Sequence, residues 1–393
     1  MSLNETVSAE RIHIGFFGMR NAGKSSLVNA VTGQELSVVS EVKGTTTDPV
    51  KKAMELLPLG PVLIIDTPGF DDAGSLGEKR VAKTNEILAK TDIAVLAVDP
   101  AAGLSDGDRT LLSLFAARKL PYLLVYTKAD LVRYENPEPG SLLVSSVTRE
   151  GVDALKNRLG DFAKTVKRDK KILADLVTPG DVVVLVIPID ESAPKGRLIL
   201  PQQQVLRELL DLYCVPVCCQ PETLAAALDS LKAPPRLVVT DSQAFRAVAA
   251  IVPDDVPLTS FSILFARYKG ELTQLLEGAA AVRALKTGDR VLISEGCTHH
   301  RQCNDIGTVK LPNMLRKLSG AEPAFSFTSG GEFPADLSDY ALVVHCGGCM
   351  LSETEMRHRL DVAKAAGVPI VNYGVAIASA TGILERAVRV FGL

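Results

Sequence analysis

The chain has 393 residues, 47% of them hydrophobic and 5% aromatic, with a net charge of −3 and an isoelectric point near 6.0. That length exceeds one ordinary hydrophobic core and asks for two or three domains. An acidic balance without a long basic run disfavours tight nucleic-acid binding, and no run approaches 18 uninterrupted apolar residues, so neither a transmembrane helix nor a membrane partner is expected.

Residues 1–10 read as an N-terminal tail, and Met1–Thr6 lacks the basic-then-apolar pattern of a secretory signal. The apolar run Ile12–Phe17 then predicts a strand, followed by Gly18-Met19-Arg20-Asn21-Ala22-Gly23-Lys24-Ser25. This fits the phosphate-binding pattern G-x-x-x-x-G-K-S/T, in the strand–loop–helix context that the motif needs. Backbone N–H groups of Asn21, Ala22, Gly23, Lys24, Ser25 and Ser26 would face phosphates at the start of a helix. Lys24 would neutralise the β/γ-phosphates, and the Ser25 hydroxyl would coordinate Mg²⁺.

Further nucleotide-binding signals follow in order. Gly44-Thr45-Thr46-Thr47-Asp48 occupies the place of a switch segment, with Thr46 as a second Mg²⁺-binding hydroxyl. Val62–Ile65 is a continuous apolar run, suited to a buried parallel strand, and ends at Asp66-Thr67-Pro68-Gly69. Asp66 would hold Mg²⁺ through a water, and the Gly69 N–H would reach the γ-phosphate. Leu123–Tyr126 ends in Thr127-Lys128-Ala129-Asp130, which resembles the guanine motif. The Asp130 carboxylate would accept from N1 and the exocyclic amine of guanine, a donor pair that adenine lacks. Val144-Ser145-Ser146-Val147 would form the last base-contacting loop, with Ser146 offering its backbone N–H to the guanine carbonyl.

Residues 11–167 thus read as a GTP-binding domain. They resemble a small translation-factor-type GTPase of the subgroup with G-x-x-N-x-G-K-S and G-T-T-x-D. Phe70 stands where Ras-like proteins carry a water-orienting Gln. The resemblance implies that Asn21 helps bind a K⁺ that neutralises developing charge. With nucleotide chemistry of this kind the expected compartment is cytoplasmic. The odd count of seven cysteines then argues for thiols or metal ligands rather than disulfides.

A charged stretch, Asp161–Lys171, leads into strand–helix alternation over 172–265. Predicted strands are Asp181–Pro188 and Arg236–Thr240; predicted helices are Gln204–Tyr213, Pro221–Lys232 and Gln243–Ile251. Cys214, Cys218 and Cys219 lie close together without a nearby His and read as small buried apolar residues. This second α/β unit is rich in apolar residues without a chemical motif, which suits homodimerisation.

The third unit, 266–393, alternates again: a helix over Glu271–Leu285, a strand over Arg290–Ser294 and a helix over Ile306–Ser319. A strand over Tyr340–Val344, a helix from Ser352 to Ala366, a strand over Val368–Tyr373 and a helix over Thr381–Phe391 follow. The fold class is therefore α/β in three α/β domains, the first a P-loop GTPase with a mainly parallel sheet. Two of the third unit's strands run into Cys/His clusters: Glu295-Gly296-Cys297-Thr298-His299-His300, and His345-Cys346-Gly347-Gly348-Cys349. Strand ends of a parallel sheet line one edge, where ligands bind, so Cys297, Cys346 and Cys349 are candidate metal ligands. Cys303 reads as a plain buried thiol. Spacing alone leaves a structural zinc, with His299 or His345 as fourth ligand, and an iron–sulfur centre both open.

The C-x-H and H-C-x-x-C pair behind an N-terminal GTPase domain resembles the [FeFe]-hydrogenase maturation GTPases over essentially the whole chain. The resemblance implies a [4Fe-4S] cluster on Cys297, Cys346 and Cys349, with His299 or His345 as a fourth ligand or just behind the ligands; Glu295 and Asp305 are further candidates for the fourth position. It also implies GTP and GDP as ligands, a transient diiron subcluster as cargo, a homodimer, and radical-SAM maturases and the apo [FeFe]-hydrogenase as partners. The alternative is an RNA-related GTPase, of ribosome assembly or tRNA modification, with a structural zinc site.

Overall fold

The computed structural model describes residues 10–34, 50–69, 77–132, 138–166, 171–189, 196, 198–296, 306–330, 332–348 and 351–393. The chain divides into two compact units, Met1–Asp169 and Lys170–Leu393.

The first unit is built on a six-stranded sheet. Its strands are β1 (Ile12–Phe17), β2 (Val50–Leu56), β3 (Gly60–Asp66), β4 (Ile93–Val98), β5 (Tyr122–Tyr126) and β6 (Leu142–Leu143). They lie in the order β2-β3-β1-β4-β5-β6. Only the β2–β3 pairing is antiparallel. Strands β1 and β4 are buried along their whole length, because helices cover both faces. On one face Ile14, Phe16 and Val95 meet Leu27 and Val31 of helix Lys24–Thr32 and Leu155 and Leu159 of helix Val152–Val166. On the other, Phe17, Leu96 and Tyr126 meet Leu111 and Phe115 of helix Asp106–Ala117. Each such side chain contributes roughly 1.5–3 kcal/mol on burial, which makes the carboxyl ends of these strands a rigid platform.

The second unit contains two parallel four-stranded sheets. The first has β7 (Val182–Val186), β8 (Val215–Cys219), β9 (Leu237–Thr240) and β10 (Leu258–Ser260) in the order β10-β9-β7-β8. The second has β11 (Arg290–Ser294), β12 (Ala324–Thr328), β13 (Leu342–His345) and β14 (Ile370–Asn372) in the order β12-β11-β13-β14. One apolar cluster runs from Val184, Val238 and Leu258 through Ile263 to Val291, Val343, Ile370 and Val375. The two sheets therefore share a continuous core. The expected boundary at 265/266 falls inside helix Phe261–Lys269. Phe261, Leu264 and Phe265 of that helix belong to the core on the opposite face of the β7 sheet, with Val183, Leu185 and Val239.

Several expected elements shift. The helix expected from Ile306 becomes α-helical only at Leu311, after a wider π turn over Ile306–Lys310. Pro312 sits in its first turn, where a missing N–H breaks no helical bond. Helix Tyr373–Ala380 is unforeseen: its apolar residues carry no polar stripe, so the segment has no helical period to detect. Strand β8 is likewise unforeseen, and it overturns the buried reading of its cysteines. Cys214 is buried, but Cys218 is exposed and Cys219 half-buried on a sheet edge. Burial raises the pKa of the Cys214 and Cys218 thiols, so neither is primed as a thiolate.

Candidate functional sites

The first site lies at the carboxyl ends of β1, β3, β4 and β5. After β1 the chain must turn against β4, and Gly18 permits it: a Cβ there would stand 2.3 Å from Ala97 O. Asn21 (φ 62) and Gly23 (φ 76) take left-handed conformations, and Gly23 begins helix Lys24–Thr32 with no side-chain cap. The first N–H groups of that helix are thus available to an anion. Ala22 and Lys24 are buried, Ser25 and Ser26 half-buried, and Asn21 exposed.

The Ser25 hydroxyl donates to Asp66 Oδ2 at 2.8 Å. Asp66 Oδ1 is buried and has no hydrogen-bond partner among the described residues. A hydroxyl beside a carboxylate with one unsatisfied oxygen is a donor set that suits Mg²⁺ or its bound water. Thr67 ties the following turn to β1, giving Phe16 O its N–H at 3.2 Å and its hydroxyl at 2.7 Å. The turn then crosses the phosphate loop so closely that a Cβ on Gly69 would stand 2.9 Å from Arg20 Cα. Thr46 and Phe70 lie outside the described residues.

The turn after β5 is strapped to the same loop. Thr127 Oγ1 donates to Ala22 O at 2.7 Å. Lys128 (φ 54) pairs through Nζ with Asp99 Oδ2 at 2.5 Å. Burial raises the Asp99 pKa, but hydrogen bonds from Lys128 and the Ala101 N–H outweigh it, and the carboxyl titrates below its ordinary value. Asp99 was missed from sequence, although it follows the apolar run of β4 just as Asp66 ends β3. Asp130 is exposed, and Ser145 Oγ donates to its Oδ1 at 2.6 Å. Ser145 itself is fully buried. Its hydroxyl also accepts from the N–H groups of Val147 (3.2 Å) and Thr148 (3.0 Å). Ser145 therefore has no surface for a ligand and touches Asp130 from behind, while half-buried Ser146 and exposed Val147 stand at the surface.

The second site lies where β11 and β13 end side by side, with Ser294 opposite His345. Cys346, half-buried, receives the Gly296 N–H on Sγ at 3.0 Å and the Gly348 N–H at 3.5 Å. Gly296 and Gly348 are the residues immediately before Cys297 and Cys349. N–H donors aimed at sulfur stabilise thiolate over thiol. Gly348 has φ 62, which favours glycine in this tight turn. Cys297, His299, His300, Cys303, Asp305 and Cys349 lie outside the described residues. Among the described residues no group of three or more His, Cys, Asp or Glu is gathered as metal ligands.

His345 is fully buried. Its Nδ1 lies 2.6 Å from Cys346 O and its Nε2 3.0 Å from Arg359 Nη1. A carbonyl only accepts and a guanidinium only donates, so the proton sits on Nδ1. Both ring nitrogens are thereby engaged by protein groups. Glu295 accepts from the Tyr373 hydroxyl at 3.3 Å.

Comparison with known proteins places these sites in a wider context. Residues 172–270 match the hydrogen maturase F dimerization domain and residues 273–390 the hydrogen maturase F tetramerization domain. Residues 13–128 match the 50S ribosome-binding GTPase family. The tRNA modification GTPase MnmE of Nitrosomonas europaea is 32% identical over 156 residues, 38% of this chain and 34% of the relative. GTPase Der of Kosmotoga olearia is 32% identical over 146 residues, 36% and 32% of the two chains. The matched stretch thus spans about a third of these curated relatives. Among solved structures, the G domain of the T. maritima FeoB iron transporter shares 24% identity over 39% of this chain and 99% of its own, with a TM-score of 0.29. Aquifex aeolicus Era bound to GDP and aluminium fluoride shares 17% over 61% and 97%, with a TM-score of 0.34. Among the described residues no helix is long and apolar enough to cross a membrane.

Proposed function

Since the chain belongs to the hydrogen maturase F family, with a GTPase domain ahead of that family's two self-association domains, we propose that it is a GTP-hydrolysing scaffold for an iron–sulfur centre in [FeFe]-hydrogenase maturation. The observation that carries this reading is the convergence of two backbone N–H groups on Cys346 Sγ, from the residues that precede Cys297 and Cys349.

In the GTPase domain, Lys24 and the first N–H groups of its helix hold the phosphates. Ser25 and Asp66 hold Mg²⁺, together with Thr46. Gly69 offers its N–H to the γ-phosphate. Asp130, oriented by Ser145, reads guanine. Asn21 lies exposed on the phosphate loop, where its side chain helps hold a K⁺ that takes up charge developing during hydrolysis.

In the second unit, Cys297, Cys346 and Cys349 hold a [4Fe-4S] cluster. Such a centre, when bound, supplies one iron without a cysteine ligand, able to accept and release a diiron fragment. His345 stands behind the ligands, its nitrogens spent on Cys346 O and Arg359. The fourth position then falls to His299, Glu295, Asp305 or solvent. The exposed β8 edge supports homodimerisation of 172–265, and the cargo would be exchanged with radical-SAM maturases and the apo-hydrogenase. The tRNA-modification relative from Nitrosomonas europaea matches 38% of this chain over 34% of its own length, so its partners are not extended to this chain.

Anaerobic purification tests the reading. A brown protein with iron and acid-labile sulfide near four per protomer is expected. The count should collapse in Cys297→Ser, Cys346→Ser and Cys349→Ser and persist in Cys214→Ser. A colourless protein with one zinc would instead establish the structural-metal alternative.

A further inference from the structure

The turn after β3 packs on a residue of the phosphate loop that has so far been given no role. A Cβ on Gly69 would stand 2.9 Å from Arg20 Cα, 3.1 Å from Arg20 N and 3.2 Å from Arg20 Cβ. Gly69 and Arg20 therefore touch, and a residue without a side chain is what lets the two backbones come so close. Arg20 is nonetheless exposed. Among the described residues its guanidinium has neither a hydrogen bond nor an ion pair. The other cation of the loop, Lys24, is only 8% exposed.

An exposed guanidinium stays hydrated until an anion arrives, and its fork of N–H donors matches the oxygens of a phosphate. GTP hydrolysis brings such an anion. Water adds to the γ-phosphorus while the bond to the β,γ-bridging oxygen breaks. GDP leaves with the bonding pair, and the proton of the water passes to phosphate or solvent. Little covalent chemistry is left to the protein, so charge placed against the γ-oxygens and the leaving oxygen governs the rate. Phe70 follows Gly69, and its side chain offers no hydrogen bond for this purpose.

We propose that Arg20 is a further catalytic residue of the GTPase: its guanidinium, supplied by the same chain, closes on the γ-phosphate from the Gly69 side and stabilises the charge of the transferred group. The inference rests on the placement of GTP proposed for this domain, with the γ-phosphate at Lys24 and the Gly69 N–H. Contact with Gly69 fixes the Arg20 backbone and Cβ at that corner, so only the outer side chain has to order when GTP binds. GDP lacks the γ-phosphate and leaves the guanidinium in water. Arg20 thereby acts on hydrolysis and not on retention of the product.

The test is GTP hydrolysis by the full-length protein, with GDP affinity measured by calorimetry for every variant. All rates are compared at one potassium concentration, so that the ion proposed at Asn21 contributes equally. Arg20→Ala should lower kcat by about 10²-fold, the low end for removal of one preorganised stabiliser, and should leave GDP affinity unchanged. Arg20→Lys keeps the charge and loses the fork, and should recover part of the rate. Aluminium fluoride on GDP stands in for the transferred phosphoryl group; its capture should weaken in Arg20→Ala, because the lost contact belongs to the transition state. An unchanged kcat in Arg20→Ala would overturn the proposal. So would a higher KM for GTP at unchanged kcat, which reports binding shared by ground and transition states. An equal loss of GDP affinity would also overturn it, since Arg20 would then only support the loop. Lys24→Ala tests the placement of GTP beneath the inference. Full activity in that variant would remove the placement and the inference together, whereas loss of activity there beside an unaffected Arg20→Ala would remove the inference alone.

Discussion

Ser145, buried at the end of β6, orients Asp130 at the surface: its hydroxyl donates to Asp130 Oδ1 at 2.6 Å while accepting two backbone N–H groups of the next turn. The carboxylate proposed to read guanine is thus held by a residue that has no surface of its own. Ser145→Ala removes the support and leaves the N–H groups of Val147 and Thr148 unsatisfied. It should weaken guanine nucleotide binding by about tenfold, since a charge-assisted hydrogen bond contributes roughly 1.5–3 kcal/mol. Calorimetric titration with GDP measures this. Asp130→Asn should abolish the preference for GTP over ATP; if competition assays find that preference intact, the base-reading assignment is wrong.

Lys24 is buried at the first position of its helix, beside the Ser25–Asp66 pair. Lys24→Ala removes the charge proposed to lie nearest the transferred phosphoryl group. Phosphate release should fall by about 10²–10³-fold, the range for loss of one preorganised charge stabiliser. The domain should keep its melting temperature to within a few degrees.

Asn21 occupies a left-handed position, φ 62, so an alanine there would mix backbone strain with loss of the side chain. Asn21→Gly removes the side chain without that strain. GTP turnover of the wild type should be higher in potassium than in sodium at equal ionic strength. The difference should vanish in Asn21→Gly. Equal wild-type rates in the two salts would remove K⁺ from the mechanism.

Among the described residues strand β8 is an edge of its sheet, with Val215 half exposed, Cys218 exposed and Tyr213 83% exposed beside it. Unpaired edges of this kind invite a second copy, and lysines on them block pairing. The double variant Val215→Lys, Cys218→Lys should lower the solution mass of the full chain in sedimentation. Thermal unfolding should change little, because neither side chain contributes to the core. An unchanged mass would place self-association elsewhere.

Asp99 and Lys128 pair across the ends of β4 and β5 and hold the guanine-motif turn at its left-handed Lys128. The Asp99 pKa is lowered in the fold. Its contribution to stability is therefore present above the ordinary carboxylate value, 3.8, and is lost as pH falls through the lower folded value. Asp99→Asn should reduce wild-type stability at neutral pH and converge on it under strongly acidic conditions, as read by thermal melts across pH.

The nucleotide motifs were legible because their chemistry is local. Glycines at 18 and 23, a lysine and a serine at the start of a helix, and carboxylates after buried apolar runs are each demanded by the few residues around them. Strands β1, β3, β5, β7, β9, β11, β13 and β14 stood out for the same reason, as continuous apolar runs between turn residues. Helix Tyr373–Ala380 did not, because full burial erases the 3.6-residue period that marks an amphipathic helix. Strand β8 did not, because a Pro and two Cys weaken an already short run.

By itself the sequence nominated the residues proposed to meet phosphate, guanine and a soft metal, since side-chain chemistry and short spacing suffice for such a proposal. Tertiary structure alone decided what stands behind them. Thr127 reaches Ala22 across 105 positions, and Ser145 reaches Asp130 across 15. Ser294 lies opposite His345 only because β11 and β13 pair in that register. The same register brings Arg359 onto the buried His345 ring, and turns a residue that sequence offered as a possible ligand into one whose two nitrogens are already engaged. Such pairings depend on strand order and register, which long-range packing sets and no local pattern encodes.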